Sequence, residues 1–394
     1  MAPKKTAKPR RARIVHTSDW HAGKTWKNVD RLGELEAVLD HLARFVEAEK
    51  VDLLLHTGDV FDTGAPVAAA ERVVFKFLRR IGDAGTRSVV IAGNHDSAAR
   101  LDAWGTLAEL VHVHVLGRPR GPDAGGVREI AVADGPTIVV AAVPFAPVRM
   151  LMTAVEAADD ETLVRQRYDD GMRRIVAALT ARFRGDTVNL LMAHAHVQGA
   201  KLSGSEREVH LGEQWATTAQ ALPPNAHYVA LGHIHKPQDV AGPSPARYAG
   251  SPLQLDFGEV GETKSFVVVD AEPGLPASVR TVPYEGAKPL LDVRATYAEL
   301  ERDAERLRSS GHLRVRVPLI AADPDANSKV RRLLPNAVSV DVELPEVAPA
   351  GDAQPSRAGL SPLDLYRMYC RKTYGADPEP PVAEAFEALR MAQE

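Results

Sequence analysis

The sequence predicts an α/β protein, with a sheet-built body flanked by helices, a small second α/β domain and a pair of terminal helices. Three observations carry this. Short apolar runs stop abruptly before Asp19, Asp59 and Asn94; amphipathic stretches lie between these runs; and beyond Asp270 a proline-punctuated connector leads into a second β-α-β pattern.

Residues 13–16 and 51–56 are apolar runs ending in Thr17-Ser18-Asp19 and Thr57-Gly58-Asp59, and 88–92 does the same before Gly93-Asn94-His95-Asp96. Each reads as a buried strand that delivers a polar side chain from its C-terminal end, so three strand tips point at one place. Between them Leu35, Val38, Leu39, Leu42, Phe45 and Val46 keep helical spacing, and 67–81 reads similarly. Further strands are expected at 137–143, 188–193, 227–231, 247–249 and 265–270, with a long helix over 161–183 among them.

Pro273, Pro276, Pro283 and Pro289 mark a connector, after which 290–295, 297–307, 312–319, 327–334 and 337–344 read as β-α-β-α-β. The next stretch is rich in Pro, Ala, Gly and Ser, a linker composition. Ser361-Pro362-Leu363-Asp364 is a helix start, with an N-cap serine, a proline at the first helical position and an acid three residues after the cap. Val382, Ala385, Phe386 and Leu389 stripe a second short helix. Tyr366, Tyr369, Tyr374 and Phe386 lie on these helices, which are too short to bury their own apolar faces. They dock back on the body or present a surface to a partner protein. The expected division is a basic disordered tail (1–12), a catalytic body (13–280), a small domain (281–345), a linker (346–360) and terminal helices (361–394).

Hydrophobic residues make up 45% of the 394 and charged residues 25%, as in a folded, water-soluble protein. Cys370 is the single cysteine, so no internal disulfide and no zinc-thiolate cage is possible, and a reducing cytoplasmic setting fits. Lys4, Lys5, Lys8, Arg10, Arg11 and Arg13 form a basic start with no apolar run behind it to act as a secretory signal, and no membrane association is expected. This tail is either merely solvated or touches nucleic acid. Net charge is −4, so any DNA binding must come from local patches.

The chemistry lies in five stretches: Asp19-Trp20-His21, Gly58-Asp59, Gly93-Asn94-His95-Asp96, His194 and Gly232-His233-Ile234-His235. Asp19 and His21, like His233 and His235, are two residues apart, which in extended backbone puts both side chains on one side. Together they offer carboxylates, an amide oxygen and imidazoles, a set suited to two divalent metals roughly 3.5 to 4 Å apart and poised to hydrolyse a phosphate ester. Asp59, at a central strand tip, is the candidate bridge. Such mixed donors favour Mn²⁺ over Ca²⁺, with Mg²⁺ as the other candidate. Two carboxylates against four positive charges leave a surplus of about +2, which attracts a phosphate. His95 has Asn94 before it and Asp96 after it; an imidazole beside a carboxylate is held in one tautomer and can protonate a leaving oxygen, so His95 and Asp96 are assigned to catalysis. His196 reads as a loop or substrate-contacting histidine. His16 and His56 read as satisfied strand histidines, and His112, His114, His210, His227 and His312 show no site-like spacing.

These stretches, with Gly58-Asp59-Val60-Phe61-Asp62-Thr63-Gly64, Ala230-Leu231-Gly232-His233-Ile234-His235 and Gly250-Ser251-Pro252-Leu253, resemble the SbcD family of bacterial nuclease subunits. That family is a branch of the calcineurin-like phosphoesterases and is related to the archaeal and eukaryotic double-strand-break repair nuclease. The resemblance spans the catalytic body. It implies a calcineurin-like β-sandwich flanked by helices, with a capping domain and partner-binding helices after it. It implies that Asp19, His21, Asp59 and His235 hold one metal, that Asp59, Asn94, His194 and His233 hold the other, and that His95 serves the leaving group. Asp62 stands where the archaeal and eukaryotic branch has a histidine thought to contact the phosphate, so Asp62 is taken with His196 as a substrate-side candidate. Ala193 replaces the superfamily's usual glycine before the ligand histidine.

The resemblance further implies Mn²⁺-dependent cutting of DNA: endonucleolytic on single strands and hairpins, and 3′ to 5′ exonucleolytic on duplex ends with an SbcC-like ATPase in a heterotetramer. Homodimers form in that family through helices on the catalytic body, here including 67–81. No Walker-type phosphate loop occurs in this sequence, so the ATPase is a separate polypeptide. The alternatives are a phosphoesterase acting on a small diester or a phosphoprotein, and a DNA-end scaffold with an idle site, against which the complete ligand set argues.

Overall fold

The computed structural model describes residues 10–147, 161–204, 206, 216–320, 323–344, 361–374 and 376–391. These form two compact units, Met1–Glu343 and Leu344–Glu394. In chain order the strands of the larger unit begin with β1 (Ala12–Thr17), β2 (Thr25–Trp26), β3 (Val29–Asp30), β4 (Leu53–His56), β5 (Arg87–Ile91), β6 (Val113–Leu116), β7 (Val127–Ile130), β8 (Ile138–Val143) and β9 (Val188–His194). They continue as β10 (His196–Val197), β11 (Ala216–Thr217), β12 (Tyr228–Gly232), β13 (Gln238–Val240), β14 (Ala246–Tyr248), β15 (Ser265–Ala271), β16 (Ser278–Pro283), β17 (Leu290–Arg294), β18 (His312–Pro318) and β19 (Ala337–Glu343). Its helices are α1 (Leu32–Ala48), α2 (Ala68–Asp83), α3 (Ala98–Ala108), α4 (Glu161–Thr180), α5 (Tyr297–Arg308) and α6 (Ala326–Leu333).

Two six-stranded sheets, ordered β16-β15-β1-β4-β5-β6 and β13-β14-β12-β9-β8-β7, form a sandwich. Alternation along each strand decides which residues fill it: Ile14, Leu55 and Ile91 from the first sheet meet Val140, Leu190 and Ala230 from the second. The opposite face of the first sheet, through Val15, Leu54 and Val90, packs on Leu39 and Leu42 of α1 and on Val74 and Phe77 of α2. The opposite face of the second packs on Met172, Val176 and Leu179 of α4. Strands buried on both faces read as continuous apolar runs, which is why the central ones stand out in the sequence.

Several elements differ from expectation. The connector after Asp270 contains β16, an edge strand paired antiparallel with β15. Most of its residues are exposed, so it lacks a strand's apolar signature, and Pro283 is tolerated at its end because an edge strand has one free side. A domain boundary at 281 therefore falls inside a strand of the body. α3, β6 and β7 fall where no element is expected; α3 has Leu101 as its single fully buried residue, too little for a visible stripe. Residues 10–12, expected in the basic tail, instead belong to the body. Arg10 pairs with Asp52, Arg11 with Glu272 and Arg13 with Asp270, and Ala12 already lies in β1.

The segment from Leu290 to Glu343 is a parallel three-stranded sheet, β17-β18-β19, with α5 and α6 closing a separate apolar cluster around Leu300, Leu313, Val315 and Val330. It joins the body through a Trp26, Phe257 and Leu290 cluster and through Glu34, whose Oε1 lies 2.6 Å from His312 Nε2. The smaller unit holds α7 (Pro362–Tyr374) and α8 (Pro380–Met391). The expected cap is present: the Asp364 amide donates to Ser361 Oγ at 3.2 Å and Asp364 Oδ2 accepts from the Ser361 amide at 3.3 Å. Tyr366 stacks on Phe386, centroids 4.5 Å apart and planes at 4°. The linker, His210, the Tyr374 side chain and Lys4, Lys5 and Lys8 lie outside the described residues. Among the described residues no helix is long and apolar enough to cross a membrane.

Candidate metal centre

The site is assembled at the C-terminal tips of parallel strands. β1, β4 and β5 run parallel and in register, placing Thr17 beside His56 and His56 beside Val90, so the residues that follow each strand emerge together. In the second sheet Gly232 pairs with His194, which sets His194 and His233 side by side. The backbone turns sharply at these tips: Asp19, His21 and Asp59 have φ of 51°, 46° and 53°, and His233 has φ of 101°. Left-handed backbone costs a non-glycine residue roughly 1 to 2 kcal/mol, so four such residues in one place mark a site whose geometry overrides local preference. Gly58, itself at φ 100°, lies so close to His194 that any Cβ there would collide with its Nδ1. The tips are zipped by backbone bonds from Asp19 N to Gly58 O, His21 N to Asp59 O and Ala22 N to Val60 O, each 3.0 Å.

The candidate ligand atoms fall into overlapping groups. Asp19, His21 and His235 converge, as do Asp19, Asp59 and His194, and His21, Asp59 and His95, with the donor atoms of each group within 4.8 Å of one another. His21 Nε2 and His235 Nε2 are 3.1 Å apart, and Asp59 Oδ2 is 3.7 Å from both His21 Nε2 and His194 Nε2. Asn94 Oδ1 stands 2.9 Å from His194 Nε2 and 3.0 Å from His233 Nδ1. His194 Nδ1 donates to the Thr57 carbonyl at 2.8 Å, leaving a lone pair on Nε2 that faces the Asn94 oxygen. Two buried acceptors aimed at one point repel unless a cation lies between them, and that is the fit this donor set offers to a divalent metal.

Charge follows burial. Burial, then the neighbouring His194, lowers His233 to about 3, and burial lowers His194 and His235 as well, which favours the neutral form whose lone pair metals take. Burial works against the ionised form of Asp59, but His194, His21 and His95 outweigh it and hold the carboxyl below its usual range. Asp19 goes the other way, raised by burial and then by the Asp59 charge. Two buried carboxylates that disfavour each other's charge are the expected result of a site built for added positive charge.

The residues around these groups correct two expectations. Asp96 does not orient His95: its carboxylate accepts from the amides of Val60 (3.1 Å), Phe61 (3.0 Å) and Gly93 (2.9 Å), tying two loops together beneath the site. His95 is instead oriented through Nδ1, which donates to the Asp62 carbonyl at 2.9 Å, while its amide donates to Asp59 Oδ1 at 2.8 Å. Asp62, taken as a substrate-side candidate, has its Oδ1 3.2 Å from His21 Nδ1 and 3.0 Å from Lys24 Nζ. His196 lies on β10, half-buried, with its ring 6.3 Å from that of His233. His16 is bracketed by the hydroxyls of Tyr228 and Thr57 at 2.9 Å each. His56 is not satisfied in the same way: it packs edge-on against Trp20, and its Nε2 has no hydrogen-bond partner among the described residues.

Sequence reasoning passes over several supporting groups. Lys264 is buried and donates to the His235 carbonyl at 2.9 Å while pairing with Glu259 at 2.6 Å, and Glu259 Oε1 lies 3.8 Å from His235 Nδ1. The Ser251 amide donates to that same carbonyl at 3.1 Å, which gives the Gly250-Ser251-Pro252-Leu253 stretch its place. Glu206 Oε1 accepts from the His235 amide at 3.1 Å.

The sequence signature of the calcineurin-like phosphoesterase family matches residues 12–237. The chain is 38% identical over 285 residues to the SbcD subunit of the nuclease SbcCD from Bacillus subtilis, covering 72% of each protein. It is 31% identical over 310 residues to the protein of the same name from Escherichia coli K12, covering 75% of this chain and 74% of that one. With the Rhodobacter capsulatus protein of that name it shares 32% over 311 residues, covering 73% and 76%.

Proposed function

Because this chain belongs to the calcineurin-like phosphoesterases and, within them, to the SbcD family of SbcCD nuclease subunits, we propose that it is a Mn²⁺-dependent DNA nuclease subunit. It cuts single strands and hairpins endonucleolytically and degrades duplex ends 3′ to 5′ together with an SbcC-type ATPase. The observation that carries this reading is the set of overlapping, buried donor groups around Asp19 and Asp59. In this reading Asp19, His21, Asp59 and His235 hold one cation, and Asp59, Asn94, His194 and His233 hold the second. Mixed imidazole, carboxylate and amide donors suit Mn²⁺ better than Mg²⁺, which prefers oxygen.

Held by those residues, two divalent cations would supply charge neutralisation at the phosphate and a more acidic attacking water. The chain's own groups do the rest. The Thr57 carbonyl fixes the His194 tautomer, and the Asp62 carboxylate stands at the far nitrogen of His21. The Asp62 carbonyl holds the proton of His95 on Nδ1, which leaves Nε2 to carry a proton to the departing oxygen when the ring is charged. Partner binding is assigned to α7 and α8, and self-association to the face of α2 that exposes Val67 and Phe75. The protein works in the cytoplasm.

One experiment tests the reading. The purified chain is assayed with Mn²⁺ or Mg²⁺ on hairpin, single-stranded and duplex DNA beside a small chromogenic diester, with Asp59→Asn in parallel. Expected are Mn²⁺-supported DNA cleavage and a loss of at least about 100-fold, together with metal content, in the variant. Preference for the small diester, or near-normal cleavage by Asp59→Asn, overturns it.

A further inference from the structure

Lys24 lies just beyond the Asp19-Trp20-His21 turn and takes no part in the ligand set. Its Nζ donates to Asp62 Oδ1 at 3.0 Å, and this carboxylate also faces His21. An ammonium group has three donors, and among the described residues Asp62 is the single partner of this one. The side chain is a quarter exposed, so the headgroup is not closed off from solvent. Lys24 also lines a small, mostly apolar crevice with Trp26, Leu35, Leu253 and Leu255. Lys24 is therefore a partly exposed cation, paired with Asp62 beside the candidate ligand His21 and with donors to spare among the described residues.

Resting on the nuclease reading above, we propose that Lys24, positioned by Asp62, grips a backbone phosphate of the DNA strand next to the one being cut, and so favours a polynucleotide over an isolated diester. A small diester has no neighbouring phosphate for the ammonium to meet. A nucleic-acid strand does, and a lysine that neutralises one of its phosphates releases counterions, which makes binding salt-dependent in a countable way. An ion pair that served only to brace the loop would leave that dependence untouched.

The test measures the affinity of the full chain for a cleavage-resistant, phosphorothioate-linked single-stranded oligonucleotide with Mn²⁺ present, across a range of salt. It uses wild type, Lys24→Met and Lys24→Arg, with thermal unfolding as the check on folding. Lys24→Met is expected to bind more weakly and to lower the slope of log affinity against log salt by about 0.7, the value for one single-strand phosphate contact, and Lys24→Arg to restore it. A Lys24→Met slope equal to wild type, or a loss that arginine does not restore, overturns the assignment of Lys24 and leaves the nuclease reading standing. Wild-type protein that fails to bind the oligonucleotide overturns both.

Discussion

A single backbone carbonyl decides which nitrogen of His194 is offered to a cation: Thr57 O takes the Nδ1 proton, and Nε2 is left bare. His95 is set by the same device, through the Asp62 carbonyl. Replacing His95 by asparagine keeps an amide that can still donate to that carbonyl and keeps the backbone bond to Asp59, so the centre should hold its metal while losing the proton donor. His95→Asn should lower kcat on DNA by about 10² to 10⁴, and far less on a diester whose nitrophenolate leaving group needs no proton. Equal losses on both substrates, or a parallel fall in metal affinity measured by calorimetry, would remove His95 from the acid role. At this scale the sequence is partly legible. Asp19, His21, His233 and His235 stand out as acid and imidazole pairs directly after apolar strands, but the backbone at Asp19, His21 and His233 is left-handed and not extended, so a tight turn, and not strand alternation, brings these side chains together. Thr57 and Lys264 do not, and Asp62 is noticed for its carboxylate and not for its carbonyl, since all three act through or on a backbone carbonyl that no side-chain pattern marks. Asp96 misleads for a physical reason: adjacency to His95 suggests a pair, but three loop amides take its carboxylate.

Elements become visible in proportion to how many of their faces are buried. β1, β4, β9 and β12 are buried on both sides and read directly from their apolar runs, whereas β16, at an edge and largely exposed, disappears into a proline-rich stretch. The β-α-β-α-β order of the small domain shows through for a similar reason, since Leu313, Val315 and Val317 alternate with Arg314 and Arg316 along β18. What the pattern does not disclose is how that domain is fastened. Glu34, at the start of α1, reaches across to His312, and the Leu290 amide donates to Gln254 Oε1, while Arg31 donates to the Gln254 and Lys288 carbonyls on the body side of the junction. Burial alone would raise the Glu34 carboxyl, but hydrogen bonds with His312 and Arg31 hold it down to about 2, against 4.5 unperturbed. A carboxyl depressed in the folded state contributes stability that is complete above its unfolded value and disappears as pH falls through the folded one. Glu34→Gln should therefore cost about 1 to 2 kcal/mol at pH 7. The gap to wild type should close as pH drops from 4.5 towards 2, read as the difference in denaturant midpoints. A gap that is constant with pH would show that Glu34 acts through packing and not through its charge.

Over the whole molecule, the division of labour follows from where the buried chemistry lies. Every candidate ligand and His95 belong to the unit that ends at Glu343, whose sandwich and helices close their own apolar clusters. The unit from Leu344 onward has two helices, held to each other by the Tyr366–Phe386 stack and exposing Leu365, Tyr369, Val382 and Leu389. Among the described residues the two helices leave these apolar side chains exposed, a surface suited to a further contact. If that contact is with the ATPase, the chain cut after Leu344 should cleave single-stranded DNA within about twofold of the full protein, because the deleted residues lie outside the ligand set. It should also fail to retain the ATPase in a pulldown that the full chain supports. Retained pulldown would place the partner surface on the larger unit. A collapse of single-strand cleavage, accompanied by a lower unfolding temperature, would instead show that the two helices complete the core of the nuclease body itself.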